Sequence, residues 1–232
     1  MNILAMDASG AAVSTAVLSE TSVFSEFFMN NGAKKHAETL MTLISAALDA
    51  AGASLNDMDY IACTSGPGSF TGLRIGAATA KGLAAGSNKK IIPVPALAAL
   101  AYNIANDNAF IAPIMDARRD QVYAALFKRQ NGELIQVLND GAMSFRDFAE
   151  SVSEHTSNPI FVGDGIMSFG ENILSLGYAI APQRFNAQRA SSVGSLAITM
   201  IHHAISGAEF SPIYLRAPQA ERNRLNGNGD PR

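Results

Sequence analysis

The 232-residue sequence holds a single cysteine, Cys63, inside the apolar run Tyr60-Ile61-Ala62-Cys63. One thiol excludes an internal disulfide and leaves no second thiolate for a metal cluster. In that setting Cys63 reads as a small buried residue and not as a reactive group. The opening residues lack a basic leader and turn polar at Asp7, and no long apolar stretch follows. Neither a signal peptide nor a membrane span is expected, and the expected location is the cytoplasm. Basic clusters are scarce too: net charge is −3, and the body of the chain offers only pairs such as Lys34-Lys35, Lys89-Lys90 and Arg118-Arg119. Nucleic-acid binding rests on neutralising phosphates with grouped Lys and Arg, so any RNA is expected to be held mainly by another component. Only the end has a basic excess, where Arg216, Arg222, Arg224 and Arg232 face Glu221 and Asp230.

Histidine is equally sparse, with four in the chain. His36 is followed at i+4 by Leu40, so the two-histidine helix face that binds a metal is missing. His202 and His203 are adjacent, which on a helix sets them about 100° apart. Ser69 and Thr71 lie near no base recognisable from the sequence, so no nucleophilic triad can be assembled. No catalytic residue and no metal ligand is assigned.

What the chain does contain is 48% hydrophobic and 16% charged residues, the balance of a globular protein with a sizeable core. Ile3, Leu4 and Met6 lead into Asp7, a turn follows at Ser9-Gly10-Ala11, and Val13, Thr15, Val17 and Val23-Phe24 resume β-type residues, which predicts a three-strand antiparallel meander. From Ala33 the period becomes helical, through Ala37, Leu40, Met41, Ile44, Leu48 and Ala51, with Gly52 as the stop. A strand over 60–64, a break at Gly66-Pro67-Gly68-Ser69, a helix to about Ala85, a strand over 90–94 and a helix over 95–106 complete the first half. This β-β-β-α-β-α-β-α order is that of an RNase H-like unit. The order then restarts: strands over 110–115, 121–127 and 134–138, a helix over 145–152, a strand over 160–162, and helices over 166–176 and 191–206. We therefore divide the chain into an α/β lobe over 1–106, a second over 107–216 and a polar, disordered tail over 217–232. The halves show no visible sequence identity, so the repeat rests on element order.

The most specific segment is Gly66-Pro67-Gly68-Ser69-Phe70-Thr71-Gly72-Leu73-Arg74-Ile75-Gly76. Gly-Pro-Gly makes a rigid turn at a strand end, and Ser69 can cap the helix that follows, whose free amides could also receive an anion. The segment resembles the signature of the TsaB family, also called YeaZ. The resemblance extends through the opening Ile-Leu-Ala-Met-Asp-Ala-Ser, His36, Val94-Pro95-Ala96-Leu97, Met115-Asp116-Ala117-Arg118 with Val122-Tyr123, Gly163-Asp164-Gly165 and Pro212-Ile213-Tyr214-Leu215-Arg216. It implies an actin-like, two-lobed fold of the sugar-kinase and heat-shock ATPase superfamily. It also implies a non-catalytic partner of a larger paralogue, TsaD, which transfers threonylcarbamoyl to adenosine 37 of tRNAs reading codons that begin with adenine. A small ATPase, TsaE, joins them, and the chain is implied to form a homodimer when alone.

Superfamily members that use ATP carry a phosphate loop between the first two strands, with an Asp followed closely by Gly and Ser or Thr. Here Asp7 and Ser9 match and the glycine is displaced, so the site reads as vestigial. No cofactor is assigned, and weak ATP or ADP binding is left open, as is an autonomous small-molecule kinase. Gly163-Asp164-Gly165 is either a second phosphate turn or a strand-ending turn with Asp164 as a cap. The first helix is wider in its apolar sector than one sheet requires, because Leu40, Leu43 and Ala47 extend the stripe beside His36. The second carries Gly72, Gly76 and Ala80 at four-residue spacing, flanked by Ile75, Thr79 and Leu83, while Phe70, Arg74, Ala77 and Lys81 form its other side. These two helices are the expected partner face, and which of their sides points outward is open.

Overall fold

The computed structural model describes residues 1–30 and 36–216, with His36 described by its backbone alone. The expected disorder of 217–232, the Lys34-Lys35 pair and the helix start at Ala33 lie outside the described residues. Among them, no helix is long and apolar enough to cross a membrane.

The first sheet is built from β1 (Asn2–Asp7), β2 (Ala12–Ser19), β3 (Val23–Asn30), β4 (Tyr60–Gly66) and β5 (Lys90–Pro95), in the order β3-β2-β1-β4-β5. The second uses β6 (Phe110–Arg118), β7 (Gln121–Gln130), β8 (Glu133–Ser144), β9 (Pro159–Val162) and β10 (Ala179–Ile180), in the order β10-β9-β6-β7-β8. In each, an antiparallel meander continues into parallel strands: β1 pairs antiparallel with β2 and parallel with β4, and β6 does the same with β7 and β9. Written from its own first strand, each sheet has the same order. This is the doubled RNase H-like topology of an actin-like α/β fold, as the element order implied.

Helices α1 (His36–Ala50) and α2 (Phe70–Ser87) cover the outer face of the first sheet, and α4 (Phe145–Ser153) and α5 (Ile166–Ser175) that of the second. Strand alternation divides the first core: Leu4, Met6, Val13, Val17, Ile61 and Cys63 face α1 and α2, while Ile3, Ala5, Ala16, Leu18 and Ala62 face inward. Between the sheets lie α3 (Ala96–Tyr102) and α6 (Ala190–Thr199), in contact with each other. Helix α6 follows the strands of the second repeat yet packs on the first sheet, through Ala190, Val193, Leu196 and Ala197. Helix α3 turns Leu97, Leu100 and Ala101 onto the inner face of the second sheet.

Local chemistry explains the boundaries. Gly52, at φ 62°, closes the end of α1 in the left-handed region that glycine adopts without strain. Ser69 Oγ accepts from the Gly72 amide and caps α2; Ser144 caps α4 through the Asp147 amide. Cys63 is buried as expected, against α2.

One sequence expectation changes. Residues from 189 onward were placed in the second lobe, but they return to the first. Beyond α6, Ile205 pairs with Ile91, Phe210 is buried in the α1–α2 core, and the Ile213 amide donates to the Ser65 carbonyl. This strap ends on the other lobe, where Arg216 Nη1 donates to the Ala117 carbonyl at 2.6 Å. The physical reason is burial: without α6 the apolar inner face of the first sheet would be exposed.

Candidate functional site

Two places hold the predicted site residues: the outer helix pair, and the ends of β1, β6 and β9 where the lobes meet.

On α1, Leu40, Leu43 and Ala47 are buried against the first sheet beside Ile44. They are core residues, which corrects their assignment to an outward partner surface. The wider apolar sector is taken up because α1 packs against α2 as well as against β2 and β3. Met41, placed on the sheet-facing stripe, is instead 49% exposed, and Ala37 and Ser45 share the solvent side. The side chain of His36 lies outside the described residues.

On α2, Gly72, Gly76 and Ala80 also face inward and are corrected likewise. A Cβ at Gly76 would stand 3.5 Å from Cys63 Sγ and 3.9 Å from Ala8 Cβ, so this side of the helix lies close on β4 and β1. Ile75 and Leu83 pack at the margin of the same core, and Thr79 is partly buried. The proposed opposite side survives only in part. Ala77 is buried and Lys81 Nζ is held by the Phe210 carbonyl, whereas Arg74 is exposed, stacked over the Phe70 ring at 3.9 Å. Phe70 in turn meets Tyr214 of the strap, with ring centroids 4.9 Å apart. The face α2 leaves open is Thr71, Arg74, Ala78, Gly82, Ala85 and Gly86. At Gly82 and Gly86 nothing beyond the helix's own adjoining backbone lies within 4 Å of where a Cβ would stand.

At the interlobe site, Asp7 is 1% exposed. Its Oδ1 accepts from the Ser9 amide at 2.7 Å and the Ser9 hydroxyl at 2.8 Å. Burial pushes its pKa up to about 6, against the pull of the Ser9 bonds and the nearby Thr64 hydroxyl. Oδ2 has no hydrogen-bond partner of good geometry. Asp164 is also pushed up to about 6 by burial, and its charge opposes that of Asp7. The Asp164 carboxylate accepts from the Asp116 amide at 3.2 Å, and the Ala11 amide of the other lobe lies near enough to favour its charged form. Asp164 does not cap α5, whose N-cap residue is Gly165 and which has no side-chain cap.

The two Gly-X-Gly turns prove to be structural counterparts. Gly66 has φ 123° and Gly163 φ 121°, and in each a Cβ would collide with a carbonyl, of Ile213 at 2.3 Å and of Ile114 at 2.1 Å. The triplet Met6-Asp7-Ala8 at the end of β1 recurs as Met115-Asp116-Ala117 at the end of β6, so the halves do share a short identity.

Sequence reasoning did not find Gln188. It is 2% exposed, its carboxamide lies on Gly10, and its backbone carbonyl accepts from Ser14 Oγ. Nothing in the polar stretch around it signals such a place. Among the described residues, no three His, Cys, Asp or Glu are grouped to hold a metal ion. His202 and His203 are exposed on a short 3₁₀ turn, with ring centroids 4.2 Å apart.

Comparison with known proteins accords with this geometry. Residues 28–219 match the family model of TsaD, tRNA N6-adenosine threonylcarbamoyltransferase. The chain is 36% identical over 163 residues to the Bacillus subtilis tRNA threonylcarbamoyladenosine biosynthesis protein TsaB, covering 70% of this chain and 71% of that one. It is 30% identical over 232 residues to the Haemophilus influenzae protein of the same name, covering 93% and 94%. A solved Pseudomonas aeruginosa structure, described as similar to peptidase YeaZ, superposes with a TM-score of 0.80 at 26% identity, covering 93% of this chain and 99% of that one.

Proposed function

Because the chain belongs to the TsaB family of tRNA threonylcarbamoyladenosine biosynthesis proteins, we propose that it is a non-catalytic scaffold for the threonylcarbamoyl transferase. In this reading it pairs with TsaD, the larger paralogue whose family model it matches, and supports transfer to adenosine 37 of tRNAs reading codons that begin with adenine. TsaE would join the assembly, tRNA would be held mainly through the complex, and the isolated chain would pair with itself on the same face. The expected setting is the cytoplasm.

The observation that carries this reading is the open side of α2. A glycine within a helix costs about 1 kcal/mol relative to alanine. At Gly76 close approach to the chain's own sheet offsets that cost, but Gly82 and Gly86 face open space. Together with Ala78 and Ala85 they form a low, small-residue side of α2 against which another helix could lie at short distance. Leu40, standing where a second histidine would be needed four residues after His36, supports a non-catalytic part.

The test is reconstitution: purified transferase with its tRNA substrate, assayed with and without this chain. Modification is expected to depend on the chain. Equal rates in its absence would sink the scaffold reading.

A further inference from the structure

An actin-like fold implies a nucleotide held on the turn between β1 and β2, and the residues present do not fit one. An amide-bearing turn at the carboxyl end of parallel strands is where α/β folds commonly receive anions. In this chain the atoms of that turn are already engaged. The Ser9 amide is turned back to Asp7 Oδ1, and the Ser9 carbonyl accepts from the Ser69 amide at 2.7 Å. Gly68 presses on the same carbonyl, since a Cβ there would stand 2.4 Å from it. The Ala11 amide lies near the Asp164 carboxylate of the other lobe, close enough to pull its pKa down. Gly10 lies beneath Gln188: a Cβ added to it would be 2.2 Å from Oε1 and 2.6 Å from Nε2.

Gln188 is held there by its surroundings. Ser14 Oγ binds its carbonyl, and Asn103 Nδ2 donates to the carbonyls of Phe185 and Ala187 just before it. Asn186 Oδ1 accepts from the Gly163 amide, which ties the same segment to the turn carrying Asp164. Just after it, Glu26 accepts from Arg189 and Ser191. The segment over 185–191 is therefore pinned at several points to both lobes.

We infer that Asp164 and Gln188 are a built-in occupant of the phosphate turn: the Asp164 carboxylate takes the Ala11 amide that a phosphate oxygen would take, and the Gln188 carboxamide fills the space above Gly10. Anions are excluded from the turn by the protein's own side chains, and the lobes are latched by the same contacts. This goes beyond the scaffold reading and does not depend on it.

The test uses the full chain with assigned amide resonances, and inorganic tripolyphosphate with magnesium as the probe. In the wild-type chain the Gly10 and Ala11 amides are expected not to shift on addition of millimolar tripolyphosphate. Asp164→Ala is expected to speed hydrogen exchange at the Ala11 amide about tenfold, through loss of its acceptor. Asp164→Ala combined with Gln188→Ala is expected to make both amides shift saturably with tripolyphosphate. Gln188→Ala alone, which keeps the backbone contact to Ser14, serves if the double variant does not fold. Saturable shifts in the wild type overturn the inference. So does unchanged Ala11 exchange in Asp164→Ala, or the lack of any saturable shift in the folded variants.

Discussion

Burial makes the charge of Asp7 costly, and one carboxylate oxygen has no hydrogen-bond partner of good geometry to offset it. With its pKa raised from 3.8 to about 6, Asp7 binds more proton in the folded chain than in the unfolded one. Its favourable contribution is therefore fully present below pH 4 and is lost as the pH rises through about 6. Asp7→Asn keeps the oxygen that Ser9 uses and removes the charge. It is expected to stabilise the chain by roughly 1–3 kcal/mol at pH 8, from about two pKa units at about 1.4 kcal/mol each, with the gain fading toward pH 4. Urea denaturation at the two pH values checks it. Glu26 behaves oppositely. Burial would raise its pKa, but hydrogen bonds from Arg189 and Ser191 outweigh this and hold it below the usual range. That contribution is present above the ordinary carboxylate range and is lost as the pH falls through the depressed value. Glu26→Gln should cost about 1–2 kcal/mol at pH 7 and less at pH 3, measured the same way. Little of this was legible in the sequence. Asp7 could be singled out by its position at a strand end, but the environments of Glu26 and Gln188 depend on residues more than 150 positions away.

At the scale of elements, periodicity identified most strands and helices but not which way the helices face. Leu40 and Met41 carry the same hydropathic signal but point about 100° apart on the helix, and only the packing of α1 on β2, β3 and α2 decides which of the two is buried. Likewise Gly72 and Gly76 drew attention by their spacing, while Gly82 and Gly86, equally spaced, hold the open face. Gly82→Ala separates stability from association. Open space around it means the added methyl costs nothing locally, so the isolated chain should gain about 0.5–1 kcal/mol. If the α2 face seats another helix, the same methyl should weaken the complex with the transferase, measured by titration calorimetry. Unchanged affinity would remove this face from the interface. The two-residue strand β10 escaped the sequence reading because so short a segment has no period to detect.

At the scale of the whole molecule, the doubled topology is legible in element order, while the shared Met-Asp-Ala triplet gains meaning only from its place at the ends of β1 and β6. The return of α6 and the strap to the first lobe could not be read, because no local pattern records which sheet a helix will cover. The strap carries a prediction: Phe210, 1% exposed between α2 and the sheet, should cost about 3–5 kcal/mol when changed to Ala. Deleting residues 217–232, by contrast, should leave tRNA modification by the reconstituted complex largely intact. Thermal melting and the modification assay test these in turn.

The crossing of α6 onto the first sheet also governs how the chain can be made and divided. Cut at the connection near residue 106, the first half would lose the cover of its inner face, Ile3, Ala5, Ala16 and Leu18, and the second would carry an orphaned apolar helix. Neither fragment is expected to fold on its own, which circular dichroism of the separately expressed halves would check. During synthesis the inner face of the first sheet cannot be covered until α6 has been made, and the outer core not until Phe210 has, so the first lobe, although translated first, is completed last.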